Sequence, residues 1–196
     1  DGCRSLCEGR DETKVTCLSF HGHETQVPLR ETFWDDKIRK VKMKVEEEIG
    51  GLLRCRHLTM GTAESCTGGY IAHLITRVAG SSDYFCGGVV SYGNGVKHHV
   101  LGVSEESLAQ YGAVSRPVVE QMALGAIRVL GCDCAVATSG IAGPGGGTPG
   151  KPVGTVWIAA ALKDRVISEC YHFGTEREDN IRLAADTALK MLKQLL

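Results

Sequence analysis

Residues 57–80 read HLTMGTAESCTGGYIAHLITRVAG, and the fold turns on how this stretch divides. His57 to Ala63 reads as a short strand. Ile71, Leu74, Ile75 and Val78 then recur at helical spacing until Gly80 ends them. A strand running straight into a helix is the unit from which parallel sheets are built. The junction, Thr62-Ala63-Glu64-Ser65-Cys66-Thr67-Gly68-Gly69, is richer in polar side chains and glycine than a plain connection needs.

The same alternation continues outward. Upstream, Ile38, Val41, Val45, Ile49, Leu52 and Leu53 predict an amphipathic helix over residues 37–54. Downstream, Phe85 to Tyr92 reads as a strand whose internal glycines mark a bulge or a close backbone approach. Ser104 before Glu105 and Glu106 predicts a capped helix start. Ser115 with Pro117 predicts a longer helix with Val119, Met122, Ala126 and Leu130 on its apolar face. Residues 133–138 form a buried strand candidate. Val153 to Leu162 and Arg165 to Phe173 form a hairpin across Lys163-Asp164, a turn without the favoured glycine. Thr175 and Glu178 have capping-box spacing ahead of a last helix containing Ile181, Ala185, Ala188, Leu192 and Leu195. Five strands and about six helices, alternating early, predict a three-layer α/β/α sandwich. Its sheet is mixed and mostly parallel, with five strands and a late antiparallel element.

Hydrophobic residues at 43% and charged residues at 23% suit a globular chain with a real core. A net charge of −1 gives no electrostatic reason to expect nucleic acid or an anionic membrane. No apolar run approaches a membrane span and no signal peptide pattern opens the chain, so a cytoplasmic location is expected. The nine cysteines are odd in number, which argues against a complete disulfide framework. Cys55, Cys66, Cys86, Cys132, Cys134 and Cys170 read as small packing residues. Residues 1–36 stand apart, without a clear hydrophobic period. Cys3, Cys7, Cys17 and His21 there have the form C-x3-C-x9-C-x3-H, which matches no standard zinc finger, so an arm or remnant outside the main domain is expected. The main domain is expected over 37–196.

In an open α/β sheet, ligands bind beyond the carboxyl ends of the strands, and three segments should reach that edge. In the first, Ser65 sits at the strand-to-helix turn, and the N–H groups of Thr67, Gly68 and Gly69 are candidates to hold an oxyanion. Glu64 sits awkwardly there for anion binding and is expected to point elsewhere or orient a neighbour. The alternative is that Ser65 or Thr67 simply caps the helix. In the second, Ser91-Tyr92-Gly93-Asn94-Gly95-Val96-Lys97, a strand end delivers Tyr92 and a tight turn delivers Lys97. A lysine acts as a base only when neutral, which desolvation promotes. The alternative is a solvated lysine and a packing tyrosine. In the third, residues 138–152 (TSGIAGPGGGTPGKP), hydroxyls, backbone N–H groups and Lys151 suit a phosphate or carboxamide. It is neither a P-loop, since Pro152 follows Lys151, nor a dinucleotide fingerprint. No G-x-S-x-G or H-E-x-x-H pattern occurs. His98 and His99, adjacent on a helix, cannot both face one site.

Taken together, Thr62 to Gly69, Val90-Ser91-Tyr92-Gly93-Asn94, Ser139-Gly140-Ile141-Ala142-Gly143-Pro144 and Lys151-Pro152-Val153-Gly154-Thr155-Val156 resemble the CinA C-terminal domain family. The likeness covers roughly residues 37–196. It implies a nicotinamide mononucleotide amidohydrolase that releases ammonia and nicotinate mononucleotide, without metal or other cofactor. Ser65 is the implied nucleophile and Tyr92 and Lys97 complete the machinery, with the choice of immediate base left open between them. Other residues commonly stand at Gly93 or Gly95 in the family. The oxyanion is expected near Thr67, Gly68 and Gly69, and the nucleotide against Ser139, Gly140 and Gly143, with Arg182 or Lys151 on its phosphate. The substrate is the expected partner, in a homo-oligomer without nucleic acid or membrane. The competing readings are a regulatory binding module of competence or DNA-damage responses and a nucleotide-binding or phosphotransfer enzyme. The second lacks a carboxylate set for Mg²⁺ apart from Glu64.

Overall fold

The computed structural model describes residues 14–18, 24–28 and 43–196, the first two segments as backbone only. The chain divides into two compact units, Asp1–Lys42 and Met43–Leu196. In the first, strands β1 (Lys14–Leu18) and β2 (Glu24–Pro28) pair antiparallel. Cys3, Cys7, Cys17 and His21 lie outside the residues whose side chains are described.

The second unit opens with α1 (Val45–Arg56), whose first turn carries Glu46, Glu47 and Glu48, where the helix dipole favours negative charge. The expected helix began at residue 37; residues 37–42 of it lie outside the described residues. At its other end the sequence reading placed His57 in a strand. His57 instead adopts the left-handed conformation (φ 54°), and the N–H groups of His57 and Leu58 return to the carbonyls of Arg54 and Leu53. These bonds satisfy the last helical carbonyls, so β3 starts only at Met60.

The remaining order is β3 (Met60–Glu64), α2 (Tyr70–Thr76), β4 (Phe85–Val90), α3 (Asn94–His99), α4 (Glu105–Tyr111), α5 (Arg116–Leu130), β5 (Cys134–Gly140), β6 (Thr155–Leu162), β7 (Arg165–His172) and α6 (Arg177–Leu195). The sheet order is β4-β3-β5-β6-β7. β3 is parallel to both neighbours, and only β6 runs against the rest. Four of the five strands therefore share a direction, as expected.

Alternation along the strands makes the three layers. Cys134, Val136, Val156, Ile158 and Ala160 pack with α1, α2 and α6 on one face. Ala135, Ala137, Ala159 and Ala161 pack with Val118, Val119, Met122 and Ala126 of α5 on the other. Small residues on this second face let α5 lie close. Gly125 of α5 has no room for a Cβ, because the Leu101 carbonyl occupies its place. The glycines of β4 serve as the sequence suggested. The β3–β4 register shifts between Met60 and Gly61, and a Cβ on Gly88 would run into the Thr62 side chain.

Two helix starts differ from expectation. Ser104 does cap α4, accepting from Ser107 N at 3.1 Å. Ser115, however, turns its hydroxyl back to the Gly112 carbonyl (2.7 Å) and caps nothing. Nor do Thr175 and Glu178 form a box; α6 begins at Arg177 with no side-chain cap. Asn180 replaces it, accepting from Gly174 N (2.9 Å) and donating to the carbonyls of Ala142 (2.9 Å) and Gly174 (3.0 Å). This buried amide fastens the start of α6 to the loop after β5.

Because β4 and β5 flank β3 on opposite sides, the connections diverge at the carboxyl end of β3. That is where open α/β sheets form a ligand crevice. No helix among the described residues is long and apolar enough to cross a membrane.

Candidate active site

Ser65 is the first residue past β3, held by a bond from its N–H to the Thr138 carbonyl of β5 (3.0 Å). On the other side, Ser91 N donates to the Glu64 carbonyl (2.8 Å), tying the end of β4 to the same point. Residues 93–94 then turn into α3, and its second turn delivers Lys97 into the crevice. Lys97 Nζ lies 3.1 Å from Ser65 Oγ, 2.6 Å from the Ser91 carbonyl and 3.3 Å from the Tyr92 carbonyl. Lys97 is 1% exposed and forms no salt bridge among the described residues. Burial without a carboxylate partner disfavours the ammonium and pushes its pKa below the ordinary value; the nearby Cys66 opposes this.

The lysine is backed by the hydrogen-bonded turn that follows α3. Val103 N bonds the Lys97 carbonyl (3.0 Å), Leu101 and Val103 are fully buried, and Arg128 Nη2 of α5 bonds the Leu101 carbonyl (2.8 Å). His98 Nδ1 meets the Val103 carbonyl (2.8 Å), while His99 is exposed, so the pair does not share the site.

Tyr92 enters differently from the expected relay. Its carbonyl meets Lys97, whereas its side chain is 65% exposed and its hydroxyl lies 3.5 Å from Arg177 Nη2. Arg177 was missed by sequence reasoning. Its Nη1 donates to the Gly143 carbonyl (2.8 Å), which places the guanidinium at the rim of the crevice. Arg182 lies five residues on, some 140° around the helix, and pairs with Asp179 on the exposed side (3.1 Å). Topology holds the signal that distinguishes them. β7 ends at the ligand edge, so the first turn of α6 faces it and the second does not.

The turn after Ser65 also departs from expectation. Gly68 N donates to the Ser65 carbonyl (3.2 Å) and Gly69 N to the Glu64 carboxylate (2.9 Å), so both donors are taken. α2 starts at Tyr70, three residues later than an uninterrupted helix from Thr67. The Cys66 and Thr67 N–H groups bond no other residue among those described, which leaves these two beside Ser65. Thr67 Oγ1 donates to Glu64 Oε2 (2.7 Å) and meets Thr138 Oγ1 (2.8 Å). Cys66 is buried and its thiol is pushed up to about 12, chiefly by burial, so it is no competing nucleophile.

In the third segment, Ser139 is buried and its hydroxyl donates to the Ala113 carbonyl (2.7 Å). Gly140 has no space for a Cβ against Thr155 and Val156, and Gly143 (φ 94°) meets Val153. These residues shape the loop through backbone. Lys151 is held away by the Tyr111 carbonyl (3.0 Å). All six described cysteines are free. Cys66, Cys132 and Cys134 are buried as expected, but Cys55 and Cys86 are exposed. Among the described residues no group of three or more His, Cys, Asp or Glu is placed to hold a metal.

The model of the CinA C-terminal domain matches residues 42–196. The chain belongs to the CinA C-terminal domain family. It is 44% identical over 171 residues to a CinA-like protein of Salinibacter ruber, covering 87% of this chain but only 42% of that longer protein. Against the nicotinamide-nucleotide amidohydrolase PncC of Escherichia coli K12 it is 48% identical over 153 residues, 78% of this chain and 93% of that one. The crystal structure of the competence/damage inducible protein CihA from Agrobacterium tumefaciens superposes with a TM-score of 0.76 at 41% identity, over 77% of this chain and 93% of that one. The CinA fold and the Ser65–Lys97 crevice thus occupy the matched part of the chain.

Proposed function

We propose that residues 37–196 hydrolyse the carboxamide of nicotinamide mononucleotide to nicotinate mononucleotide and ammonia, with Ser65 as nucleophile and Lys97 as its base. The observation that carries this is a buried, carboxylate-free lysine 3.1 Å from the hydroxyl at the strand–helix turn. The E. coli relative, which this chain matches over almost its full length, bears the name of that activity.

Burial without a carboxylate partner favours the neutral amine. A neutral lysine offers two N–H donors and one lone pair. In that form the Ser91 and Tyr92 carbonyls take the two donors and the lone pair receives the Ser65 O–H, whereas the ammonium donates to all three oxygens. As Ser65 Oγ attacks the amide carbon, its proton passes to Lys97 Nζ and the carbonyl oxygen becomes an oxyanion. The Cys66 and Thr67 N–H groups are the donors left to receive it. Lys97 then returns the proton to the leaving nitrogen, the C–N bond breaks and ammonia departs. Water attacks the resulting ester, with Lys97 again taking a proton, and the acid leaves as Ser65 is restored.

The nucleotide lies along the loop of Ser139, Gly140 and Gly143, and its phosphate meets Arg177 rather than Arg182. The Tyr92 ring stands at the same mouth and contacts substrate; its hydroxyl, next to Arg177, has no part in activating Ser65. The six free cysteines among the described residues suit a reducing, cytoplasmic setting. Exposed Val90, Tyr92, Val96 and Val100 on β4, α3 and the turns beside them support a homo-oligomer. Ammonia release from the mononucleotide in the presence of a chelator tests the reaction. Turnover of a nucleoside triphosphate that requires Mg²⁺, without ammonia release, would overturn it.

A further inference from the structure

Glu64 is a buried acid that the mechanism above does not use. It is 1% exposed, adjoins Ser65 in the chain, and has no cation among its hydrogen-bond partners. Four donors converge on its carboxylate. Oε2 accepts from Thr67 Oγ1 (2.7 Å), Gly69 N (2.9 Å) and Ile71 N (3.0 Å), and Oε1 accepts from Ala72 N (2.9 Å). A carboxylate accepts all four bonds without presenting a donor; a glutamine with its oxygen at the Oε2 position would still turn its NH2 group against Ala72 N–H.

We propose that Glu64 is a positioning residue for the nucleophile: its carboxylate holds the 65–69 turn open and off the helix. The inference rests on the amidohydrolase reading above. With the Gly69, Ile71 and Ala72 N–H groups bonded to Glu64, residues 65–68 form a tight turn with bonds from Gly68 N to the Ser65 carbonyl (3.2 Å) and from Tyr70 N to the Thr67 carbonyl (3.0 Å), rather than a first turn of α-helix. Ser65 Oγ then faces Lys97, and the Cys66 and Thr67 N–H groups bond no other residue among those described. Thr67 links this clamp to Thr138, the residue whose carbonyl fixes Ser65 N, so carboxylate and nucleophile share one frame. Substrate binding along the Gly143–Arg177 rim does not pass through this frame. Loss of the carboxylate therefore lowers kcat and leaves KM nearly unchanged.

The test measures ammonia release from nicotinamide mononucleotide by wild type, Glu64→Ala and the isosteric Glu64→Gln, with folding followed by thermal melting. Both variants are expected to lose about 100-fold or more in kcat with KM within threefold. In Glu64→Ala, added sodium formate, small enough for the vacated carboxylate position, should restore kcat in a saturable way that sodium chloride does not. A folded variant that keeps wild-type kcat, or a folded Glu64→Ala whose lost kcat does not respond to formate, overturns the inference. Should Glu64→Ala fail to fold, wild-type kcat in Glu64→Gln still overturns it. A wild type that releases no ammonia would instead overturn the amidohydrolase reading.

Discussion

Replacing Lys97 separates a base from a mere positive charge. Lys97→Met fills the same buried volume without a lone pair, and Lys97→Arg keeps the donors for the Ser91 and Tyr92 carbonyls but stays protonated at any working pH. A general base contributes roughly 10²–10⁴-fold, or about 3–5 kcal/mol of barrier. Because Nζ is the one base bonded to Ser65 Oγ among the described residues, both variants should lose that full factor in kcat, with KM changed little. Stability should move less. Lys97→Met leaves two carbonyls unpaired, at roughly 1–3 kcal/mol each, but ends the cost of burying the amine. The pH dependence carries a further signature. Burial lowers the folded-state pKa of Lys97, so between that value and the ordinary 10.5 the unfolded chain binds more protons and stability rises with pH. Below the folded pKa, Lys97 is charged and activity falls. Wild-type kcat/KM should therefore climb along one limb centred below 10.5, and Lys97→Met should lose it. Steady-state ammonia release across pH, with urea unfolding in parallel, measures both. Lys97→Arg retaining a tenth or more of wild-type kcat would refute the neutral-base argument.

Arg177→Ala should raise KM for the mononucleotide at least tenfold with kcat within a few-fold, whereas Arg182→Ala should change neither; saturation kinetics on the two variants decide this. Gly125→Ala places a methyl against the Leu101 carbonyl and should destabilise the fold by about 1–3 kcal/mol in urea unfolding, as overpacking does. Because that contact backs the turn holding Lys97, kcat should fall with it.

The layers were legible in sequence because hydrophobic period is local. The stripe Ile71, Leu74, Ile75, Val78 reports the face that one helix buries, and the continuous apolar run of β6 reports a strand buried on both faces. Strand-end position singled out the segments of Ser65 and Lys97, but left helix cap and solvated charge as alternatives; the roles came from the family resemblance. What escaped depended on contacts between distant segments. The Thr175–Glu178 spacing promised a capping box, but Asn180 instead reaches Ala142, 38 residues away, and displaces that local solution. His57 looked like strand because nothing in its neighbourhood announces a left-handed helix end without glycine. Glu64 seemed misplaced at a helix start until its carboxylate proved to be the acceptor for that start. Arg177 and Arg182 differ by one turn and by rotation on the same helix, and both are fixed by where the helix begins.

The most direct measurement is ammonia release from nicotinamide mononucleotide by the wild-type chain and by Ser65→Ala, with both shown to be folded. Turnover is expected from the wild type and a loss of roughly 10³-fold or more from Ser65→Ala, since Lys97 is left without the oxygen it activates. Full activity in folded Ser65→Ala would contradict the covalent route and point to a directly activated water. No release by either protein would contradict the activity itself.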